Sequence, residues 1–151
     1  QRERDVMAFK NILFQVQEGV GQLTLNRPQS LNSFTAEMHE EVRTAFKQVQ
    51  EDKAIRCLLL SGNGRGFCAG QDLNDRTVTA ENGAPDLGDS VEKYYNPLIR
   101  NLMSLPKPVI CAVNGVAAYT EAIETAIRLC RYFVKLAWFP IQAAPGTCRG
   151  R

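Results

Sequence analysis

The sequence predicts an α/β fold in which parallel strands alternate with helices. Residues 12–25 alternate apolar and polar side chains around a turn, and an amphipathic helical pattern follows Thr35. Two short apolar runs, residues 55–60 and 109–113, each follow a helical segment. Strands that alternate with helices are typical of parallel sheets. The length of 151 residues suits one compact domain with a hydrophobic core.

The first predicted elements are a β-hairpin and a helix. The alternation on both sides of residues 18–21 indicates two strands with one buried face. Thr35 can cap a helix that ends near Asp52. The apolar residues of this helix recur every three to four positions and are Met38, Val42, Ala45, Phe46 and Val49. We place His39 on the exposed side of the helix, as a solvated histidine.

The second half of the predicted fold repeats the pattern of helix followed by buried strand. Residues 55–60 form a nearly continuous apolar run, which predicts a parallel strand covered on both faces. Residues 77–89 contain glycine and proline and are predicted to form a mobile loop. Residues 91–103 are predicted to form a helix that Pro106 and Pro108 end. Its apolar positions include Val91, Tyr94, Tyr95, Leu98, Ile99 and Leu102. Residues 109–113 form the next predicted strand.

Composition excludes several classes of partner. The net charge of +2 gives no reason to expect nucleic acid, and no stretch of 18 apolar residues could span a membrane. The five cysteines include no CxxC pair and are interpreted as reduced thiols of a cytoplasmic protein, and no metal site is expected. Residues 1–6 precede Met7 and are expected to be a non-native extension.

Two segments carry the candidate chemistry. Residues 67–72 follow a predicted strand and the glycine-rich turn 61–66, so that backbone N–H groups lie at the end of a buried strand. An oxyanion site needs such groups. Residues 107–118 form the second candidate segment, which contains a predicted buried strand followed by Asn114-Gly115. Taken alone, residues 67–72 could equally be a tight turn, but the two segments together point to acyl-thioester chemistry.

Three segments in order, residues 25–33, 67–73 and 107–118, resemble the crotonase (enoyl-CoA hydratase/isomerase) superfamily. Within it, residues 65–76, 84–88 and 95–98 are most similar to isomerases of ring-epoxide thioesters in phenylacetate degradation. The resemblance implies a crotonase-like ββα spiral core, incomplete at the C-terminus, within a domain over residues 7–136. It also implies a homotrimer or hexamer and an aromatic or fatty acyl-CoA substrate. Coenzyme A would be part of the substrate, with no separate cofactor.

The resemblance further implies that two backbone N–H groups hold the thioester oxygen. The first donor is the N–H of Gln71, and Thr120 occupies the position of the second, where Tyr119 crowds the approach. The residues implied in substrate binding are Ser30, Leu31, Ala69, Gly70, Asp72, Leu73, Gly115 and Ala118. We favour a turn-stabilising or CoA-loop role for Asp72 over an acid/base role, and we interpret Cys68 as a packing residue.

The C-terminal residues suggest a disrupted reading frame. Residues 134–136 resemble the start of a segment found in the family. Deletion of one base in the next codon would shift the reading frame, so that the rest of that family segment would be translated as residues 137–151. These would then be non-native, and the acid/base aspartate of the isomerases would be missing. An inactive CoA-binding remnant is therefore the alternative to an active isomerase or hydratase. A Clp-type protease is disfavoured because no Ser/His pair is suitably placed, and Glu121 and Glu124 are interpreted as a solvated helix face.

Overall fold

The structure is a computed structural model in which residues 9–75, 91–117 and 132–135 are described. Within these ranges the α-helices are α1 (Ala36–Glu51) and α2 (Asn96–Ser104), and Pro28–Ser30 forms a short 3₁₀ helix. The strands are β1 (Ile12–Gln17), β2 (Val20–Leu25), β3 (Cys57–Gly62), β4 (Gly66–Cys68), β5 (Val109–Val113), β6 (Val116–Ala117) and β7 (Tyr132–Lys135). The α/β class predicted from the sequence is confirmed.

Five of these strands form one mixed sheet in the order β1-β2-β3-β5-β7. The predicted hairpin is the antiparallel pair β1 and β2, and the other neighbours in the sheet run parallel. Strands β4 and β6 form a separate parallel pair. The strand predicted over residues 55–60 begins later, at Cys57, because the Ile55 N–H bonds to the Asp52 carbonyl in the turn after α1.

One face of the sheet packs against α1 and forms the core. Ile12 and Phe14 of β1 are buried, whereas Leu13 between them is 51% exposed, as the alternation predicts. Strand β3 differs from its prediction. Leu58 is fully buried, but Leu59 on the opposite face is only half-buried, so β3 is not covered on both faces.

Helix α1 has both of its ends satisfied by hydrogen bonds. At its start, Thr35 Oγ1 accepts from the Met38 N–H at 3.2 Å, as a capping residue does. At its end, Lys107 Nζ donates to the backbone carbonyls of Val49 and Asp52. Free carbonyls and the negative end of the helix dipole both favour a cation there. A lysine from the loop before β5 therefore fixes α1 to the sheet.

The helix predicted over residues 91–103 is divided in two. Val91–Tyr95 is a π-helical turn, and α2 follows it with Pro97 in its first turn, where a missing N–H is tolerated. In the π-helical turn two consecutive side chains, Tyr94 and Tyr95, are both buried. No helix within the described ranges is long and apolar enough to cross a membrane.

We expect Lys107→Met to lower the free energy of unfolding by about 1–2 kcal/mol, because the carbonyls at the end of α1 lose a charged donor. Lys47→Met is the matched control, since the Lys47 side chain is 73% exposed and lies 3.9 Å from Glu51. The control should change stability by less than about 0.5 kcal/mol. Urea denaturation of the three proteins measures both values. Equal losses in the two variants would contradict a specific role for Lys107.

Candidate functional site

The candidate site is built on two loops, which we name the first loop (residues 26–35) and the second loop (residues 63–75). Three backbone hydrogen bonds, the cross-loop ladder, join them. Ala69 N–H donates to Leu31 O at 2.9 Å, and Phe34 N–H donates to Gly70 O at 2.7 Å. Asp72 N–H donates back to Phe34 O at 2.9 Å. The ladder holds the second loop extended along the first.

Gln71 lies in the middle of the ladder but contributes no backbone group to it. The bonds on either side use the Gly70 carbonyl and the Asp72 N–H. Because successive backbone groups of an extended chain point to opposite sides, the Gln71 N–H points away from Phe34. Among the described residues, no acceptor receives a hydrogen bond from it. The cross-loop ladder therefore does not use this N–H.

Asn32 ties the first loop to the turn that precedes β4. Its side chain is fully buried, and its Nδ2 donates to Asn63 O at 3.0 Å and to Gly66 O at 2.9 Å. Its Oδ1 accepts from the Arg27 N–H at 2.8 Å. The backbone has a φ of 58°, a left-handed conformation that asparagine tolerates better than most residues. One asparagine thus satisfies three backbone groups.

An ion pair closes the other end of the ladder. Arg27 Nη2 lies 2.8 Å from Asp72 Oδ2, with side chains 15% and 12% exposed. Asp72 Oδ1 accepts from the Asn74 N–H at 3.0 Å, which gives Asp72 the turn-stabilising role predicted for it. Burial by itself raises the pKa of Asp72, but the hydrogen bonds from Arg27 and Asn74 and the charge of Arg27 hold that pKa below its ordinary value. Asp72 is therefore an ionised structural residue.

Strands β4 and β6 bring the two candidate segments together. Their parallel register places Gly66 beside Val116 and Cys68 beside Ala117. The residues that follow Cys68 include Gln71, so the end of β6 lies beside the start of the segment that carries the free N–H. Ala118 and Thr120 lie outside the described residues, as do Glu121, Glu124 and residues 137–151.

The Asn114-Gly115 turn fastens this second segment to the glycine-rich turn. Asn114 Oδ1 accepts from the Gly62 N–H at 3.1 Å, and its Nδ2 donates to Gly64 O at 2.9 Å. A Cβ atom at Gly115 would overlap the Arg65 carbonyl oxygen. Gly115, implied by the resemblance as a substrate-binding residue, is thus required by the close approach of two backbones.

The remaining residues implied in substrate binding lie on these two loops. Ser30 and Leu31 are half-buried in the first loop, and the Ser30 N–H bonds to Arg27 O within it at 3.0 Å. Gly70 is buried, with a φ of 92° that favours glycine, and Ala69 beside it is half-buried. Leu73 is 69% exposed. Apart from Ser30 and Leu73, these loop residues take part directly in the ladder.

Cys68 is a packing residue, as predicted. Its side chain is 1% exposed, and burial raises the pKa of its thiol to about 12. A thiol with such a pKa is neutral at physiological pH and a poor nucleophile. Its Sγ accepts from the Gly70 N–H at 3.4 Å, which helps to shape the second loop.

The prediction that His39 is solvated is wrong, because its side chain is 2% exposed. His39, Val42 and Phe46 are spaced by three and four residues and share the buried face of α1, a signal that the sequence contained. The ring packs against Phe34 with centroids 4.7 Å apart. Burial, and secondarily the charge of Arg43, lower the pKa of His39 from 6.5 to about 4, so it is neutral at physiological pH.

Comparison with known proteins assigns the chain to a family. The family model of enoyl-CoA hydratase/isomerase matches residues 15–120, more than half of the sequence. The chain belongs to the enoyl-CoA hydratase/isomerase family. The chain is 66% identical over 107 residues to the 1,2-epoxyphenylacetyl-CoA isomerase of Escherichia coli K12, covering 71% of the chain and 41% of that protein.

Other members of the hydratase/isomerase family agree with this assignment. A probable enoyl-CoA hydratase of Rhodobacter capsulatus is 36% identical over 112 residues, covering 74% of this chain and 41% of that protein. The crystal structure of enoyl-CoA hydratase from Bacillus anthracis superposes with a TM-score of 0.70 at 28% identity, over 82% of this chain and 46% of that one. The crotonase-like fold is therefore confirmed, and the chain spans less than half the length of these relatives.

We expect Asn32→Asp to destabilise the protein by about 3 kcal/mol, because a buried carboxylate would replace a donor to two carbonyl oxygens. Gln29→Glu makes the same amide-to-carboxylate change at an exposed position of the first loop. This control should alter stability by less than about 0.5 kcal/mol. Denaturant titration measures both. A small effect of Asn32→Asp would show that the loops do not depend on Asn32.

The ion pair of Asp72 predicts a specific pH dependence. Because the pKa of Asp72 is lowered in the folded state, its stabilising effect is complete above the ordinary value of 3.8 and is lost as the pH falls through the folded-state pKa. We expect Asp72→Asn to cost about 3 kcal/mol near neutral pH and progressively less below about pH 4. Glu51→Gln, at an exposed pair, is the control. Unfolding free energies across this pH range test the prediction, and a constant cost would contradict it.

Proposed function

We propose that the protein binds an acyl-CoA thioester and serves as an acyl-CoA isomerase or hydratase. The observation that supports this proposal is the Gln71 N–H, which points away from the cross-loop ladder and has no acceptor among the described residues. A backbone N–H in this state can donate to the carbonyl oxygen of a thioester. Its position is the one that the family resemblance implied for the first oxyanion donor.

The proposed mechanism places negative charge on that oxygen. When the α-carbon of a thioester loses a proton, its carbonyl becomes an enolate, and the oxygen gains charge. A donor that already points at this oxygen stabilises the transition state, and one such donor is typically worth about 3 kcal/mol of the barrier. The second donor is proposed at Thr120, in the segment that follows β6.

The rigidity of the two loops supports this role. A preorganised donor is effective because the protein does not have to reorganise during the reaction. The ladder, the three hydrogen bonds of Asn32 and the ion pair of Arg27 and Asp72 together hold the second loop. Since Asp72 is committed to Arg27, we assign it no acid/base role.

The acyl group is proposed to be aromatic. This rests on the 66% identity to a relative named for 1,2-epoxyphenylacetyl-CoA, with a fatty acyl group as the second choice from the probable enoyl-CoA hydratase of Rhodobacter capsulatus. Coenzyme A is proposed to be part of the substrate, with no separate cofactor. We also propose that the chain associates as a trimer or hexamer.

A pair of ligands that differ only at the carbonyl tests the proposal. We expect phenylacetyl-CoA to bind about fivefold more tightly than S-(2-phenylethyl)-CoA, the thioether in which a methylene replaces the carbonyl, because one hydrogen bond is worth about 1 kcal/mol. Isothermal titration calorimetry measures both affinities. Equal affinities, or no binding of either ligand, would contradict the proposal.

The variant Gln71→Pro sharpens this test. Proline has no N–H, and the ladder does not use the N–H of Gln71, so the substitution removes the donor without breaking a hydrogen bond of the ladder. The thioester preference should disappear while the affinity for the thioether is retained. Turnover of an unsaturated or epoxide phenylacetyl-CoA then separates an active isomerase from the inactive CoA-binding alternative, which would bind the thioester without converting it.

A further inference from the structure

Five buried polar atoms form an unsatisfied cluster next to the second loop. They are both ring nitrogens of His39, both amide atoms of Gln71 and the hydroxyl of Tyr95, and none has a hydrogen-bond partner among the described residues. A buried group without a partner costs about 1–3 kcal/mol, so native proteins contain few of them. Their concentration in three residues, one of which is the proposed donor residue, points to a function.

The His39 ring is held in place on three sides. Phe34, whose backbone belongs to the cross-loop ladder, has its ring centroid 4.7 Å from that of His39. Tyr94 stacks on the imidazole at 5.4 Å, and Tyr95 meets it edge-on at 4.7 Å. Both tyrosines come from the π-helical turn Val91–Tyr95, and π-helical turns are frequent at functional sites. The imidazole is therefore a rigid group.

The chemistry of the His39 imidazole matches that of the Gln71 carboxamide. Phe34 brings the two residues together, since its ring packs against the imidazole and its backbone pairs with Gln71. The carboxamide also opposes the fall in the pKa of His39 that burial causes. A neutral imidazole offers one donor and one acceptor, and a carboxamide offers both as well. Each is thus the partner that the other lacks. Hydrogen bonds of ligand-free sites are often long and tighten only when a ligand binds.

We propose, on the basis of the function proposed above, that His39 is a positioning residue for the oxyanion donor. Its imidazole hydrogen-bonds the Gln71 carboxamide when a thioester binds, and so holds the Gln71 peptide with its N–H directed at the carbonyl oxygen. The ladder fixes the backbone on both sides of Gln71, and His39 fixes the side chain. Both constraints act on the same peptide group.

The first test compares His39→Phe with the unmodified chain, using phenylacetyl-CoA and its thioether analogue in calorimetry. Phenylalanine keeps the ring and its packing but removes both nitrogens. We expect the thioester preference to fall by about threefold, with the thioether affinity unchanged. The melting temperature should not fall, because an apolar ring of similar shape replaces an unpaired polar one. A purely structural role of His39 would lower stability or both affinities together.

Further variants complete the test. His39→Gln, which can still donate and accept, should retain part of the preference, and it replaces His39→Phe if that variant does not fold. Tyr95→Phe removes the unpaired hydroxyl of Tyr95 but keeps the ring that packs against His39. It should leave the preference for the thioester unchanged, because His39 and Gln71 are both retained. In a Gln71→Ala background, which keeps the backbone N–H, the effect of His39→Phe should vanish, since its partner is gone.

The positioning role of His39 and the proposed function are contradicted by different outcomes. If the unmodified chain prefers the thioester and His39→Phe keeps the full preference, the positioning role is overturned while the proposed function stands. An effect of His39→Phe that persists in the Gln71→Ala background also overturns it. If the unmodified chain shows no preference, the proposed function fails, and the role of His39 fails with it.

Discussion

Three backbone hydrogen bonds between the first and second loops determine the direction of the Gln71 N–H. The same ladder places Asp75 at the start of α1, where its Oδ2 accepts from the Ala36 N–H at 2.8 Å. A carboxylate at that end of a helix also meets the positive end of the helix dipole. The ladder therefore couples the candidate site to α1, the helix that covers the sheet. A substitution that displaces one of them is expected to displace the other.

The two sides of the second loop differ in how fully their polar groups are satisfied. On one side, Asn32, Arg27 and Asp72 pair all the polar groups described for them, and such pairing makes a buried polar network rigid. On the other side, His39 and Gln71 are buried and unpaired. The unpaired polar groups therefore lie next to the proposed donor, on the side of the second loop that the paired network does not reach.

The sequence predicted elements whose signal is local. The hairpin and α1 follow from the period of their apolar residues, and strands β3 and β5 follow from short apolar runs. The meeting of the two candidate segments followed from the family resemblance. The capping of α1 by Lys107 depends on a contact between residues 55 positions apart, which no local pattern indicates. The π-helical turn was missed because Val91–Tyr95 is only five residues long, too short a segment to show a period of its own. His39 was predicted to be solvated because histidine is polar, whereas its spacing from Val42 and Phe46 alone would have indicated burial.

The contact between Asn114 and the glycine-rich turn has a consequence for folding. The hydrogen bond from Asn114 to Gly64 joins residues 50 positions apart, whereas the hairpin of β1 and β2 closes over a two-residue turn. Contacts between distant residues require the entropy of a long loop to be lost before they form. The hairpin can thus form while residues beyond β3 are still unstructured, whereas β4 pairs with β6 only when Gly66 and Val116 are brought together. The two candidate segments are accordingly expected to come together later in folding than the hairpin.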